Sequence, residues 1–137
     1  MIYIKELKLS TRGELDIINI TDKVDDIVKE SNIRNGLCII FTKSSTSAIT
    51  TIEFESGLVE DFRRFMERVI PKNIEYEHEK KWHDGNGHSH IRASSLKPDL
   101  CIPVVNGSLT LGTWQQIVFV EFDIRARERS IIVEILS

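Results

Sequence analysis

The sequence predicts an α+β fold: a single compact domain on a largely antiparallel sheet of about seven or eight strands, with two or three helices packed on it. Three observations carry this. The chain has 137 residues, the size of one domain with its own core. Short β-rich segments and amphipathic helical segments follow one another irregularly, without the strand–helix repeat of a parallel sheet. Asn106–Gly107 between two apolar runs is a hairpin signal.

Taken in order, Ile2, Ile4, Leu7 and Leu9 alternate with charges and predict a strand over 2–9. Thr11–Gly13 reads as a turn and Glu14–Ile20 as a second strand, the two forming a hairpin. Thr21 is placed to cap a helix whose apolar stripe is Val24, Ile27 and Val28, and Asn35–Gly36 ends it. Leu37–Thr42 is a continuous apolar run, expected to be buried on both faces. Thr46–Phe54 reads as a strand. Ser56 is the expected cap of the clearest helix, in which Leu58, Phe62, Phe65, Met66 and Val69 form a core stripe before Pro71 stops it. Residues 72–89 read as a connection and Ile91–Leu96 as a short helix. Strands follow at Leu100–Val105, Ser108–Gly112, Trp114–Phe122 and 130–136. Apolar residues fill both faces of Trp114–Phe122, the pattern of a central strand.

Composition excludes several classes. The net charge is −3 and the basic residues are mixed with acids, which argues against a nucleic-acid binder. The first residues are charged rather than signal-like, and no apolar run approaches the roughly 18 residues that span a bilayer. The expected location is the cytoplasm, with no membrane partner. Cys38 and Cys101 lie in aliphatic segments and read as buried small hydrophobes, not as a disulfide or a zinc pair.

Three polar clusters interrupt this pattern. The segment 78–94 holds all four histidines, with Asp84, Gly85 and Gly87 among them. Neutral imidazoles suit zinc and similar metals, and three protein ligands leave a position open for chemistry. His88 and His90 point the same way on an extended chain, but diverge by about 200° on a regular helix. The alternative is a solvated loop with capping histidines. The second cluster, Lys43–Ser47, offers hydroxyls and a cation to an anion, although it lacks P-loop glycines and a polar turn explains it as well. The third begins at Gly112–Gln116 and leads to Glu121 on the central strand. A carboxylate there must be paired or face a cavity: it partners a histidine, works as an acid or base, or pairs with one of Arg125, Arg127 and Arg129.

The segments SSTSAITTIE, LVEDFRRFMERVIP, YEHEKKWHDGNGHSHIRAS, IPVVNGSLTLGTWQQIVFVEFD and RERSIIVEIL resemble, in this order, the YjbQ-like family, also called secondary thiamine-phosphate synthase enzymes. GxLxLGTWQ is its most specific signature. The resemblance implies a homotrimer with a histidine-lined site at or near subunit interfaces, holding a divalent metal: zinc, or magnesium brought with substrate. It implies thiamine-phosphate synthase-type transfer between phosphorylated small molecules, with pyrophosphate released. The alternative is a non-catalytic trimer that binds a metal or metabolite. His78 matches the histidine of the family's YxHxE segment, and His90 the one before its IKAS-like stretch. Ser45 stands where many members carry a third histidine, so His88 is expected to complete the metal set, with His83 and Asp84 as weaker candidates. The remaining expectations are Lys43, Ser45, Thr46, Ser47, Arg92 and Trp114 around substrate phosphate, and Glu121, Gln115 and His88 as catalytic groups.

Overall fold

The computed structural model describes residues 1–137. Its elements are β1 (Ile2–Ser10), β2 (Asp16–Asn19), α1 (Thr21–Ser31), β3 (Gly36–Thr42), β4 (Ser47–Ile52), α2 (Ser56–Val69), α3 (Glu77–Trp82), α4 (Gly87–Ser95), β5 (Asp99–Val105), β6 (Ser108–Leu109), β7 (Gln116–Glu121) and β8 (Glu128–Leu136). They form an α+β domain with two antiparallel sheets, ordered β1-β8-β3-β5-β6 and β2-β7-β4.

Strand alternation explains the layering. Ile131, Val133 and Ile135 of β8 and Cys38 and Ile40 of β3 point inward, where they meet Ile117 and Phe119 of β7 and the stripe Val24, Ile27 and Val28 of α1. The intervening residues of β7, Val118 and Val120, face the other way. They pack with Val59 and Met66 of α2 and Ala93 of α4. β7 is therefore apolar on both faces because it separates two cores, as its pattern predicts. The hairpin at Asn106–Gly107 also forms, with φ of 52° and 82° at the two turn residues.

Several expectations need correction. β1 and β2 do not pair: β1 lies on β8 and β2 on β7, in different sheets, although a tight turn separates them in sequence. The run 37–42 is covered on one side only, since Leu37 and Phe41 are exposed. Cys101, also on that outer side, is exposed, while Cys38 is buried and its thiol is pushed up to about 12 by burial and by the neighbouring Cys101. In α2 only Val59 and Met66 are buried; Leu58, Phe65 and Val69 are exposed. There are also four helices rather than two or three, because the histidine connection folds into α3 and an early start of α4. Glu55, not Ser56, caps α2, its carboxylate accepting from the Gly57 and Leu58 N–H groups.

The outer face of the five-stranded sheet has no helix over it. Ile2, Ile4, Leu37, Phe41 and Val105 lie there exposed. Across its middle, Ile4, Glu134, Ile39 and Cys101 stand in register. No helix of the protein is long and apolar enough to cross a membrane.

Candidate metal centre and the serine-lined cavity

The fold of the histidine segment follows from a glutamate and two glycines. α3 ends at His83, whose left-handed φ of 53° reverses the chain. The Glu79 carboxylate then accepts the N–H groups of both Gly85 and Gly87. A methyl group on Gly87 would stand 2.8 Å from Glu79 Oε1 and from Tyr76 Cβ, so this clamp closes only on glycine. The clamp starts α4 at Gly87 and sets His90 against His78, their ring centroids 4.6 Å apart.

Asp84 completes the group, with Oδ1 3.4 Å from His78 Nε2. Asn86 lies between them. With its amide nitrogen facing these partners it donates to Asp84 Oδ1 at 2.7 Å and to His78 Nε2 at 3.2 Å. Ligand atoms of His78, Glu79 and Asp84 lie within 4.8 Å of one another. Two ligands about 2.1 Å from a tetrahedral ion stand roughly 3.4 Å apart, so His78 and Asp84 have the spacing of a shared zinc, which would take the place of the Asn86 amide that bridges them. Glu79 fits less well, because both its oxygens hold backbone N–H groups.

His88 does not join this group. On helix α4 it lies two residues from His90 and emerges on the opposite side. Its ring is 1% exposed, and Nε2 meets the Glu14 carboxylate. Burial works to raise the Glu14 carboxyl, but hydrogen bonds from Lys72 and His88 outweigh it and hold its pKa below the ordinary value. Arg92, one turn along the same side, is also buried. Its guanidinium donates to Ile70 O at 2.9 Å and to Glu67 at 2.9 Å, and reaches Glu14 at 3.4 Å. The expected third ligand and the expected phosphate-binding arginine are thus parts of one buried ion network. His83 is the exposed C-cap of α3.

Beside His90 a cavity of about 550 Å³ opens between α4 and the β3–β4 turn. Ser44, Ser45, Ser47 and Ser94 line it with Ile91 and Pro98. Of the residues expected around phosphate, the structure brings Ser45 and Ser47 here with His90. Lys43 lines a separate cleft with Glu128 and Arg129. Thr46 is buried, donating to Asp123 at 3.1 Å and accepting from Arg129 at 2.9 Å.

Glu121 is also committed elsewhere. It lies on the inter-sheet face of β7, fully buried, and accepts from Arg129 at 2.7 and 2.6 Å and from Thr11 at 3.0 Å. The structural pair with an arginine is therefore what the strand holds. Asp123 shares the network: burial works to raise its pKa, but the Arg125 N–H, Arg127 and Thr46 hold it below the usual range. Gln115 closes its own turn, accepting the Gly112 N–H at 2.9 Å. That turn presents Trp114, 72% exposed, to a different cavity shared with Glu53 and Phe54.

Sequence reasoning did not single out Glu14, Glu79, Asn86 or Ser94. Glu79 had a signal, the glycine pair Gly85 and Gly87 a few residues on, which needs an acceptor for its N–H groups. Glu14 had none, since its partners lie at least 58 residues away.

The fold and site define a class: a two-sheet α+β protein with a histidine–carboxylate group at the mouth of a hydroxyl-lined cavity. The family model described as "UPF0047 protein YjbQ-like" matches residues 5–137, and the chain belongs to that family. It is 40% identical to a UPF0047 protein of Archaeoglobus fulgidus over 131 residues, covering 96% of this chain and 99% of that one. A Methanothermobacter thermautotrophicus UPF0047 protein is 41% identical over 122 residues, 89% and 84% of the two chains. Among solved structures, a YbjQ-like protein of unknown function from Sulfolobus solfataricus superposes with a TM-score of 0.94 at 38% identity, covering 100% of this chain and 98% of that one. An uncharacterised family member from Clostridium acetobutylicum gives 0.88 at 34% identity, covering 96% and 99%.

Proposed function

We propose that His78, Asp84 and His90 hold a divalent metal, zinc in preference to magnesium, and that the adjoining cavity takes a phosphorylated small molecule. The observation that carries this is His78 Nε2 3.4 Å from Asp84 Oδ1, with the His90 ring packed on His78 at 4.6 Å between centroids, at the edge of a cavity lined by serines. His90 stands outside the set of ligand atoms within 4.8 Å, so on this reading its ring turns toward the ion on binding. A bound ion would supply Lewis-acid neutralisation of charge on a phosphate or pyrophosphate oxygen. Ser45 and Ser47 present hydroxyls to the same oxygens. No lysine or arginine lines this cavity, so a phosphate there depends on the histidine group for positive charge. A transfer of the thiamine-phosphate synthase type is the finer form of this reading.

The protein works, on this reading, as a homotrimer. The support is the uncovered outer sheet face, where isoleucines, Leu37, Phe41 and Val105 lie open. A trimer is read directly from sedimentation velocity, and a monomer at micromolar concentration would end that part.

A second reading, a non-catalytic binder of the same ligand, is favoured by one observation. Glu121, the carboxylate expected to act as acid or base, is sealed behind Arg129. Elemental analysis separates the possibilities when combined with turnover on the two thiamine precursors. Zinc in the purified protein that is lost in His90→Ala and Asp84→Asn supports the metal site. Turnover supports the enzyme, and tight metabolite binding without turnover supports the binder. Unchanged metal content in both variants defeats the proposal.

A further inference from the structure

The cavity under Trp114 lies apart from the histidine group. Ser47 at the start of β4 lines one cavity, and Glu53, just past its end, lines the other. Six residues of strand at about 3.3 Å each separate them by roughly 20 Å. This second cavity measures about 410 Å³. Its aromatic walls are Trp114 and Phe54, 72% and 44% exposed. Trp82 is exposed as well, so what marks Trp114 is its place beside Phe54 at one cavity.

The polar groups are divided in an informative way. Glu55 is spent on capping α2. Asn19 donates to Gln116 at 3.3 Å and accepts from Thr21 at 2.7 Å, so the two amides hold each other and the start of α1. The Glu53 carboxylate enters no side-chain hydrogen bond or ion pair and is exposed at the rim. No lysine or arginine lines the cavity. Trp114 is held in place by the doubly closed turn 112–115, in which Gln115 N–H donates to Gly112 O at 3.0 Å and Gln115 Oε1 accepts from Gly112 N–H at 2.9 Å. Two lining aromatics, one uncommitted carboxylate and no competing cation match one ligand chemistry. An ammonium group is attracted by the electron-rich ring faces and by the carboxylate together.

We propose that this cavity is a binding site for a small organic cation, a quaternary or protonated amine, stacked on Trp114 and Phe54 and charge-paired with Glu53. The site is independent of the histidine group and of any metal there.

The chain has two tryptophans, so Trp82→Phe leaves Trp114 as the only indole reporter. This variant is titrated with choline and with 3,3-dimethylbutan-1-ol, the neutral carbon analogue of the same shape. The expected result is a saturable change in indole emission with choline, at least about tenfold weaker with the neutral analogue. Calorimetry on the unaltered chain should show binding lost in Trp114→Ala and weakened about tenfold in Glu53→Gln, two exposed positions where folding is little affected. His90→Ala should leave choline binding unchanged, which separates failure of this site from failure of the metal site. No saturable response overturns the proposal, as does equal response to the two probes or indifference to both substitutions. A second copy of the chain that buries the cavity in solution would give the blank titration and overturn it too.

Discussion

The two sides of α4 carry the same residue type to opposite ends. His88 and His90 are two positions apart. His88 enters a saturated interior, where Glu14, Arg92, Glu67, Lys72 and the Ile70 carbonyl satisfy one another. His90 faces an open cavity and a second histidine. The difference teaches that commitment, more than residue identity, separates a structural group from a chemical one. An imidazole whose nitrogen already holds a carboxylate in a closed network has little left to offer a ligand. One packed on a second histidine at the wall of an open cavity still does.

The inner side should break hardest. Arg92→Met removes a buried guanidinium and leaves the Ile70 carbonyl without its donor, while half-exposed Glu67 turns to water and Glu14 keeps Lys72 and His88, so a loss of about 2–3 kcal/mol is expected in urea denaturation. His88→Ala should cost about 1–3 kcal/mol by leaving the Glu14 carboxylate short of a donor, with zinc content intact. Because the two share Glu14, the double variant should cost less than the sum. Equal zinc loss in His88→Ala and His90→Ala would erase the distinction between the sides.

Acid should act on the inner side of α4, through Glu14, and on the separate Asp123–Arg127 network. Glu14 and Asp123 both have depressed pKa values in the folded protein. The unfolded chain therefore binds their protons more readily, and stability rises with pH through this range. The contribution is complete above the ordinary carboxylate range and is lost as pH falls below about 4 through the folded values. A denaturation midpoint followed from pH 7 to 3 should fall, and Asp123→Asn should flatten the fall. A midpoint independent of pH would contradict the network. The smallest effect belongs to the open side: compared in metal-free buffer, His90→Ala should change stability by no more than about 0.5 kcal/mol, and any larger gap that opens when zinc is added reports the proposed metal site.

How much of this could be read from sequence depends on range. The central strand β7 and the Asn106–Gly107 hairpin were legible because alternation and turn chemistry are local. The β1–β2 hairpin was misread because adjacency does not choose a sheet: β1 finds its partner in β8, Ile2 opposite Leu136. The α2 stripe has helical spacing, yet only part of it meets β7, and the spacing does not say how wide the contact is. The two histidines turned on one boundary. Divergence of an HxH pair on a helix is elementary geometry, but Gly85 and Gly87 read as a loop, which starts the expected helix only at Ile91. Gly87 opens α4 because Glu79 and Tyr76 crowd its Cα, a tertiary reason invisible along the chain. For Glu121 the arginine pairing stood among the alternatives, and the nearby basic residues pointed to it.

The place of β8 has a consequence for synthesis. The last strand in sequence lies between the first and the third, joining β1 to β3. A nascent chain that has released everything up to Asp123 holds its helices and the strands of the smaller sheet, but the larger sheet is still split, with β1 unattached. Closing it takes contacts more than a hundred residues apart, which makes for slow folding. Until that strand emerges, a lone β1 and the bare β3 edge of β3-β5-β6 are open to pairing with neighbouring chains.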